Sequence, residues 1–330
     1  MSTSTDPDTL SPIGPPAIGA RLFGWISLGV LAAFFINNIL NVAFGLPQVT
    51  GAWNGETAAW LLIAIYLIGI GAAALFVLRT PNRALRYDSK IISDFNAYLI
   101  RGCFFAVLFT GIVDAAIAFL RVEGLLEQLF SEALAKDLIR SRFIGPWVHG
   151  PLLVLGFVVA GFSRSLGFIW LALLIVLAEL LIVFSRFVFS YEQAMMGDLV
   201  RYWYAALFLF ASAYTLKEEG HVRVDVFFAG LSRRGKGKVN AIGTIFLGMV
   251  TAWGIIIVSM NGKQSIVNSA VTNFEVSQTG TAGMYTKYQM AAFLAVFAIT
   301  MLIEFVSYYF AAVADTRDEP GKREAAPISH

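Results

Sequence analysis

Three acidic side chains lie inside runs that are otherwise apolar, Asp114, Glu179 and Glu304, and Asp198 borders a fourth such run. A charge surrounded by hydrocarbon is costly, so each of these acids calls for a partner or a wet cavity. Asp114 and Arg121 are seven apart, two turns along one helical face, and Glu179 and Arg186 have the same spacing. Asp198 and Arg201 are three apart, close enough on a helix to pair directly. Glu304 has no charged neighbour within its own run, although Tyr308 stands one turn further on. Two kinds of chemistry fit. Either neighbouring helices, in this chain or in a partner subunit, satisfy the acids, or Asp114, Glu179 and Glu304 line a proton or cation pathway. No substrate pocket accompanies them in the pattern, which weighs toward the first.

Histidines number three, His149, His221 and His330. A bis-histidine haem inside a helical bundle needs two imidazoles at membrane depth, and only His149 is near an apolar run, which argues against a b-type cytochrome. His221 and Asp225 stand at i and i+4, but two ligands do not make a metal site. Their expected role is positional: His221 and Arg223 hydrogen bond helix ends or lipid phosphate, and Asp225 balances Arg223 or Arg233. The single cysteine, Cys103, sits in an apolar run, so no intramolecular disulfide and no thiolate cluster is available. No HExxH, P-loop or dinucleotide-binding glycine pattern occurs in a suitable context. No cofactor, enzymatic activity or nucleic-acid partner is expected.

The elements that must position these residues follow from composition. Of 330 residues, 58% are hydrophobic and only 14% charged, against about 25% charged in an average soluble domain. Such a chain is expected to be an all-α, polytopic membrane protein. Apolar runs of membrane-spanning length fall at 22–46, 57–79, 97–120, 147–162, 165–188, 199–216, 241–261 and 288–313, about eight transmembrane helices. The fourth run is the shortest, with His149 near its start and Pro151 in its first turn, where proline is tolerated. Pro7, Pro12, Pro15 and Pro16 make residues 1–20 a disordered tail, followed by a retained first span rather than a cleaved signal peptide.

Charge orients the second half. With both ends cytoplasmic, the inner segments hold Arg164, Lys217, Arg223, Arg233, Arg234, Lys236, Lys238, Arg317, Lys322 and Arg323, and the outer ones only Lys263 and Lys287. The positive-inside rule favours that arrangement. In the first half, five basic residues on one side face four on the other, which hardly decides.

Short amphipathic helices are expected at the interfaces. Residues 122–142 alternate Leu125, Leu126, Leu129, Leu134 and Leu138 with Glu123, Glu127, Glu132, Lys136 and Asp137 at helical period. Such a helix lies flat on the outer face or docks a periplasmic partner. Val224, Phe227, Phe228 and Leu231 form one apolar stripe beside Arg233, Arg234, Lys236 and Lys238, which would face anionic phospholipids. Residues 262–287 form a polar, glycine-containing outer loop with Glu275. The tryptophans lie mostly near span ends, as aromatic belts do.

The stretch from Arg186 to Lys238 carries a resemblance. An acidic residue, an arginine opening a helix, then Lys217-Glu218-Glu219-Gly220-His221-Val222-Arg223-Val224-Asp225 resembles the small, DctQ-type membrane subunit of tripartite ATP-independent periplasmic (TRAP) transporters. The likeness covers roughly residues 165–315, including Glu275 and Lys287. It implies a DctQ-like four-span domain at 165–315, a four-span N-terminal extension at 21–164 and a cytoplasmic tail at 316–330. It further implies a non-catalytic scaffold in the bacterial inner membrane. Its partners would be a large, M-type membrane subunit and a periplasmic protein delivering a substrate such as an organic carboxylate. Arg186, Glu192, Arg201, Glu219, His221, Arg223, Asp225 and Glu275 are the expected interface or structural positions. The alternative is a self-sufficient ion-coupled transporter or channel that uses Asp114, Glu179 and Glu304.

Overall fold

The computed structural model describes residues 10–164, 168–217, 226–277 and 279–321. In chain order the helices are α1 (Ile18–Phe44), α2 (Thr57–Arg79), α3 (Leu85–Val122), α4 (Leu126–Leu129), α5 (Glu132–Asp137), α6 (Ser141–Phe162), α7 (Phe168–Phe189), α8 (Ala194–Lys217), α9 (Val226–Ala229), α10 (Arg233–Met260), α11 (Ile266–Thr272) and α12 (Lys287–Thr316). Among the described residues, seven helices are long and apolar enough to cross a membrane: α1, α2, α3, α6, α7, α10 and α12. The eighth expected span, α8, is long enough at 24 residues, but Asp198, Arg201, Lys217 and its tyrosines dilute its apolar character.

Several helices outrun their apolar runs, for local reasons. Helix α3 is 38 residues long, about 57 Å at 1.5 Å per residue, because Leu85 and Ile92 bury one face of a polar first third. Helix α10 begins at Arg233, since the Ser232 hydroxyl accepts the Gly235 amide at 3.2 Å and caps it before the apolar run begins. Helix α6 is 22 residues rather than the 16 of its apolar run, because a π-helical turn at Gly145–His149 carries the chain past Pro146. The single amphipathic helix expected over 122–142 is broken instead. Phe130 is extended and Ser131 caps a new turn, so Leu126 and Leu138 are buried while Leu129 and Leu134 are exposed. Of the expected tail, residues 10–17 are tied down: the Gly14 amide donates to Asn82 at 2.8 Å and the Ala84 amide to Pro12 at 3.0 Å.

The chain divides into two compact units, each built from segments distant in sequence. The first takes the described residues up to Asn96, from Thr215 to Lys263 and from Met301 onward. Its centre is polar: Asp88, fully buried, accepts from Arg21 at 2.8 Å, Arg83 at 2.5 Å and Trp25 at 2.9 Å. Two guanidinium groups and an indole around one carboxylate fasten α1 to the start of α3, as a buried charge requires. Arg86 reaches Asp315 at 2.7 Å, which ties the same part of α3 to the end of α12.

The second unit comprises Ala97–Tyr214 and Gln264–Thr300. Phe104, Phe210 and Phe293 meet edge to face at its core, with Tyr202 against Phe293. Small residues on α3 admit the neighbouring helices. A Cβ at Gly111 would stand 2.2 Å from the Trp203 indole nitrogen, which donates to the Val107 carbonyl at 3.3 Å. All the candidate residues described next, apart from Glu304 and the basic cluster after α9, belong to this second unit.

Candidate functional site

The loop before α12 is held by two carboxylates from different helices. Asp198, near the start of α8, accepts the Met284 amide at 3.1 Å and the hydroxyls of Ser277 and Thr279 at 3.4 and 3.3 Å. Asp114, in α3, accepts the Tyr285 amide at 2.7 Å. The expected pair of Asp198 and Arg201 forms at 2.8 Å. The expected partnership of Asp114 with Arg121 does not. Arg121 spans to the same loop instead, donating to the carbonyls of Thr281 and Gly283, each at 2.6 Å, and stacking 4.0 Å above the Tyr285 ring. Two turns of helix separate Asp114 from Arg121 along the axis, and the loop fills that gap. Gly283 must be glycine here, for a Cβ would lie 2.4 Å from the Asp198 carboxylate.

From Asp114 a buried polar chain runs inward. His149 Nε2 stands 3.2 Å from Asp114, and its Nδ1 2.9 Å from the Tyr288 hydroxyl. Gln289 donates to the Tyr288 oxygen at 3.1 Å, and Tyr202 donates to the Gln289 carbonyl oxygen. Tyr202 gives to Gln289 and Gln289 to Tyr288; in the Nε2–H tautomer of His149, Nε2–H gives to the carboxylate and the Tyr288 hydroxyl to Nδ1. Of this chain, sequence spacing singles out Asp114 and His149 but not their pairing, and it misses Tyr202, Tyr288 and Gln289. The only signal for those three was an amide and two phenols within apolar runs.

A second charged group gathers where α7 turns into α8. Ser190 takes a left-handed φ of 51°, the Tyr191 amide returns to the Ser185 carbonyl at 3.0 Å, and the chain folds back toward α7. That turn brings Glu192 to Arg186 at 3.5 Å, so Arg186 pairs with Glu192 and not with Glu179. The Tyr191 hydroxyl donates to Glu123 at 2.5 Å. Its hydrogen bond to that carboxylate, then its partial burial, hold the phenol above the ordinary tyrosine range. Glu179, Glu192, Gln193 and Arg201 line a cleft of about 300 Å³ between α7 and α8. Glu275 pairs with Lys287 at 3.1 Å.

Other expected residues stand elsewhere. Glu304, in the first unit, accepts from Ser93 and Asn96, each at 2.9 Å. Its partners thus come from α3 and not from its own helix. Of the basic cluster after α9, Arg234 binds Asp318 at 2.5 Å and Arg233 approaches Asp315 at 3.5 Å, leaving Lys238 exposed. Glu219, His221, Arg223 and Asp225 lie outside the described residues. Among the described residues, no three His, Cys, Asp or Glu side chains converge on a position that could hold a metal ion.

The family model described as tripartite ATP-independent periplasmic transporters, DctQ component, matches residues 173–311. This part of the chain is similar to DctQ components. No curated protein and no solved structure matches the chain. Glu179, Arg186, Glu192, Asp198, Arg201, Glu275, Tyr285 and Tyr288 fall within the DctQ match; Asp114, Arg121 and His149 precede it. The hydrogen bonds of Asp114, Arg121 and His149 therefore fasten helices ahead of the DctQ segment to a loop and a helix inside it. Helices long and apolar enough to cross a membrane lie both before the DctQ match and within it.

Proposed function

We propose that this chain is the non-catalytic small subunit of a TRAP-type secondary transporter in the bacterial inner membrane, with both termini cytoplasmic. It braces a large membrane subunit that carries out ion-gradient-driven uptake, while a periplasmic binding protein delivers the substrate, an organic carboxylate. In this reading residues 21–164 are an extension of the DctQ-like domain at 165–315, and the substrate does not touch this chain.

The observation that supports a bracing role is how the buried acids are used. Asp114, Asp198 and Glu304 are each engaged by two or more donors of their own chain. A carboxylate that must take up and release an ion or proton during transport is poorly served by such fixed partners. Arg186 with Glu192, Arg201, and Glu275 with Lys287 are exposed instead. Exposed pairs add little to folding, typically 0–1 kcal/mol, so these side chains remain available to a partner.

Reconstitution tests the reading. Liposomes holding this chain alone, the large subunit alone, or both are assayed for uptake with the binding protein present. Transport only by the pair is expected. Ion flux through this chain alone would overturn the proposal and turn attention to Asp114, Glu179 and Glu304. Arg223→Ala and Asp225→Ala are expected to weaken co-purification with the large subunit.

A further inference from the structure

Glu179 is the one intramembrane acid in the second unit whose carboxylate, among the described residues, has no hydrogen bond or ion pair. It sits eleven residues into α7, about 16 Å from either end at 1.5 Å per residue, which is the middle of a hydrocarbon core of roughly 30 Å. Its own helix leaves it uncovered. Helix α7 packs through a narrow seam marked by Leu171 and Ser185, while Val176, Leu180, Val183 and Phe187 are 62%, 49%, 49% and 79% exposed. Arg201 lines the same cleft, but Asp198 at 2.8 Å and the Gly197 carbonyl at 3.2 Å already hold its guanidinium.

Resting on the reading that this chain pairs with a large membrane subunit, we infer that the Glu179 face of α7 is the docking surface for a transmembrane helix of that subunit. The helix presents a basic side chain, lysine or arginine, to Glu179. Lipid tails supply neither a donor nor a countercharge, and the free chain could solvate this carboxylate only by drawing water to mid-membrane depth. A cation on an apolar helix satisfies both requirements, because its flanks cover Val176, Leu180 and Val183 while its charge enters the cleft. A soluble protein cannot reach that depth.

Co-expression of the tagged full chain with the large subunit tests this. Wild-type chain is expected to retain the large subunit, Glu179→Gln to lose at least about tenfold of it, as for one member of a desolvated charge pair, and Glu179→Lys to lose nearly all. Photoreactive residues placed at Val176 or Val183 are expected to cross-link to the large subunit, and one at exposed Ile68 on α2 is not. Equal retention by wild type and Glu179→Gln, or cross-links at Val176 and Val183 to lipid only, would overturn the inference and leave the pairing intact. Failure of the wild-type chain to retain the large subunit at all would overturn the pairing itself.

Discussion

Asp114 and Asp198, on two different helices, accept the amides of two consecutive residues: Asp114 that of Tyr285 at 2.7 Å, and Asp198 that of Met284 at 3.1 Å. The peptide between them is thereby fixed from both sides at the entrance to α12. Both acceptors are carboxylates, and the bond to Asp114, at 2.7 Å, has the short length of a charge-assisted one.

Removing either acceptor strands a buried amide. Asp198→Ala and Asp114→Ala are each expected to cost about 1–3 kcal/mol of stability, the penalty of an unsatisfied buried donor, read from denaturant or thermal unfolding in detergent. Asp198→Ala should also free the Ser277–Gly283 segment. A cysteine introduced at Thr281 would then react faster with a membrane-impermeant thiol reagent than in the wild-type background. An unchanged labelling rate would show that the loop does not depend on Asp198.

The chain from Asp114 to Tyr202 predicts a coupling. His149→Phe removes both imidazole nitrogens, and Tyr288→Phe leaves Nδ1 without its donor. Each is expected to destabilise by about 1–2 kcal/mol. If the two residues act in one network, the double variant loses less than the sum, with a coupling in the range of roughly 0.5–3 kcal/mol that a double-mutant cycle reads directly. Additive losses would mean that the hydrogen bond between them contributes nothing.

Most span positions could be read from the sequence, because hydrocarbon thickness sets the length of an apolar run: α2 covers 57–79 in both readings. Helix ends could not, because they are set by polar events, such as the Ser232 cap on α10 and the π-turn around Pro146 on α6. Local pairing was legible only at short spacing. Asp198 with Arg201 formed as i, i+3 geometry suggests, whereas the partners of Asp114, Glu304 and Arg186 come from other helices or from a turn. A seven-residue spacing puts two side chains on one face but about 10 Å apart along the axis, and tertiary neighbours occupy that distance first.

Gly145 gives a steric prediction. A Cβ there would lie 2.2 Å from the ring of Phe274, which itself adopts a left-handed φ of 48° and stacks edge-on against Tyr288 at 5.3 Å. Phe274 cannot readily turn away, since its backbone is already in a conformation that bulky residues seldom adopt. Gly145→Ala is therefore expected to destabilise by about 1–3 kcal/mol, as overpacking does. The companion change Phe274→Ala should restore much of the loss in the double variant, measured by unfolding of both single variants and the pair.

Tyr191 supplies a pH dependence with a definite sign. Its hydroxyl donates to Glu123 at 2.5 Å, a bond that exists only while the phenol is protonated, and this raises its folded-state pKa. The unfolded chain titrates at about 10. Below that pH both states hold the proton and the contribution of the bond is complete; it is lost as pH climbs through the raised folded value. Difference absorbance between the wild type and Tyr191→Phe isolates this phenol from the other tyrosines. Its phenolate signal is expected to appear later than that of an ordinary tyrosine, and to move back toward about 10 in a Glu123→Gln background. Because Glu123 follows α3 and Tyr191 joins α7 to α8, an unshifted titration would also show that this link between the helices before the DctQ segment and those within it does not form in the membrane-embedded protein.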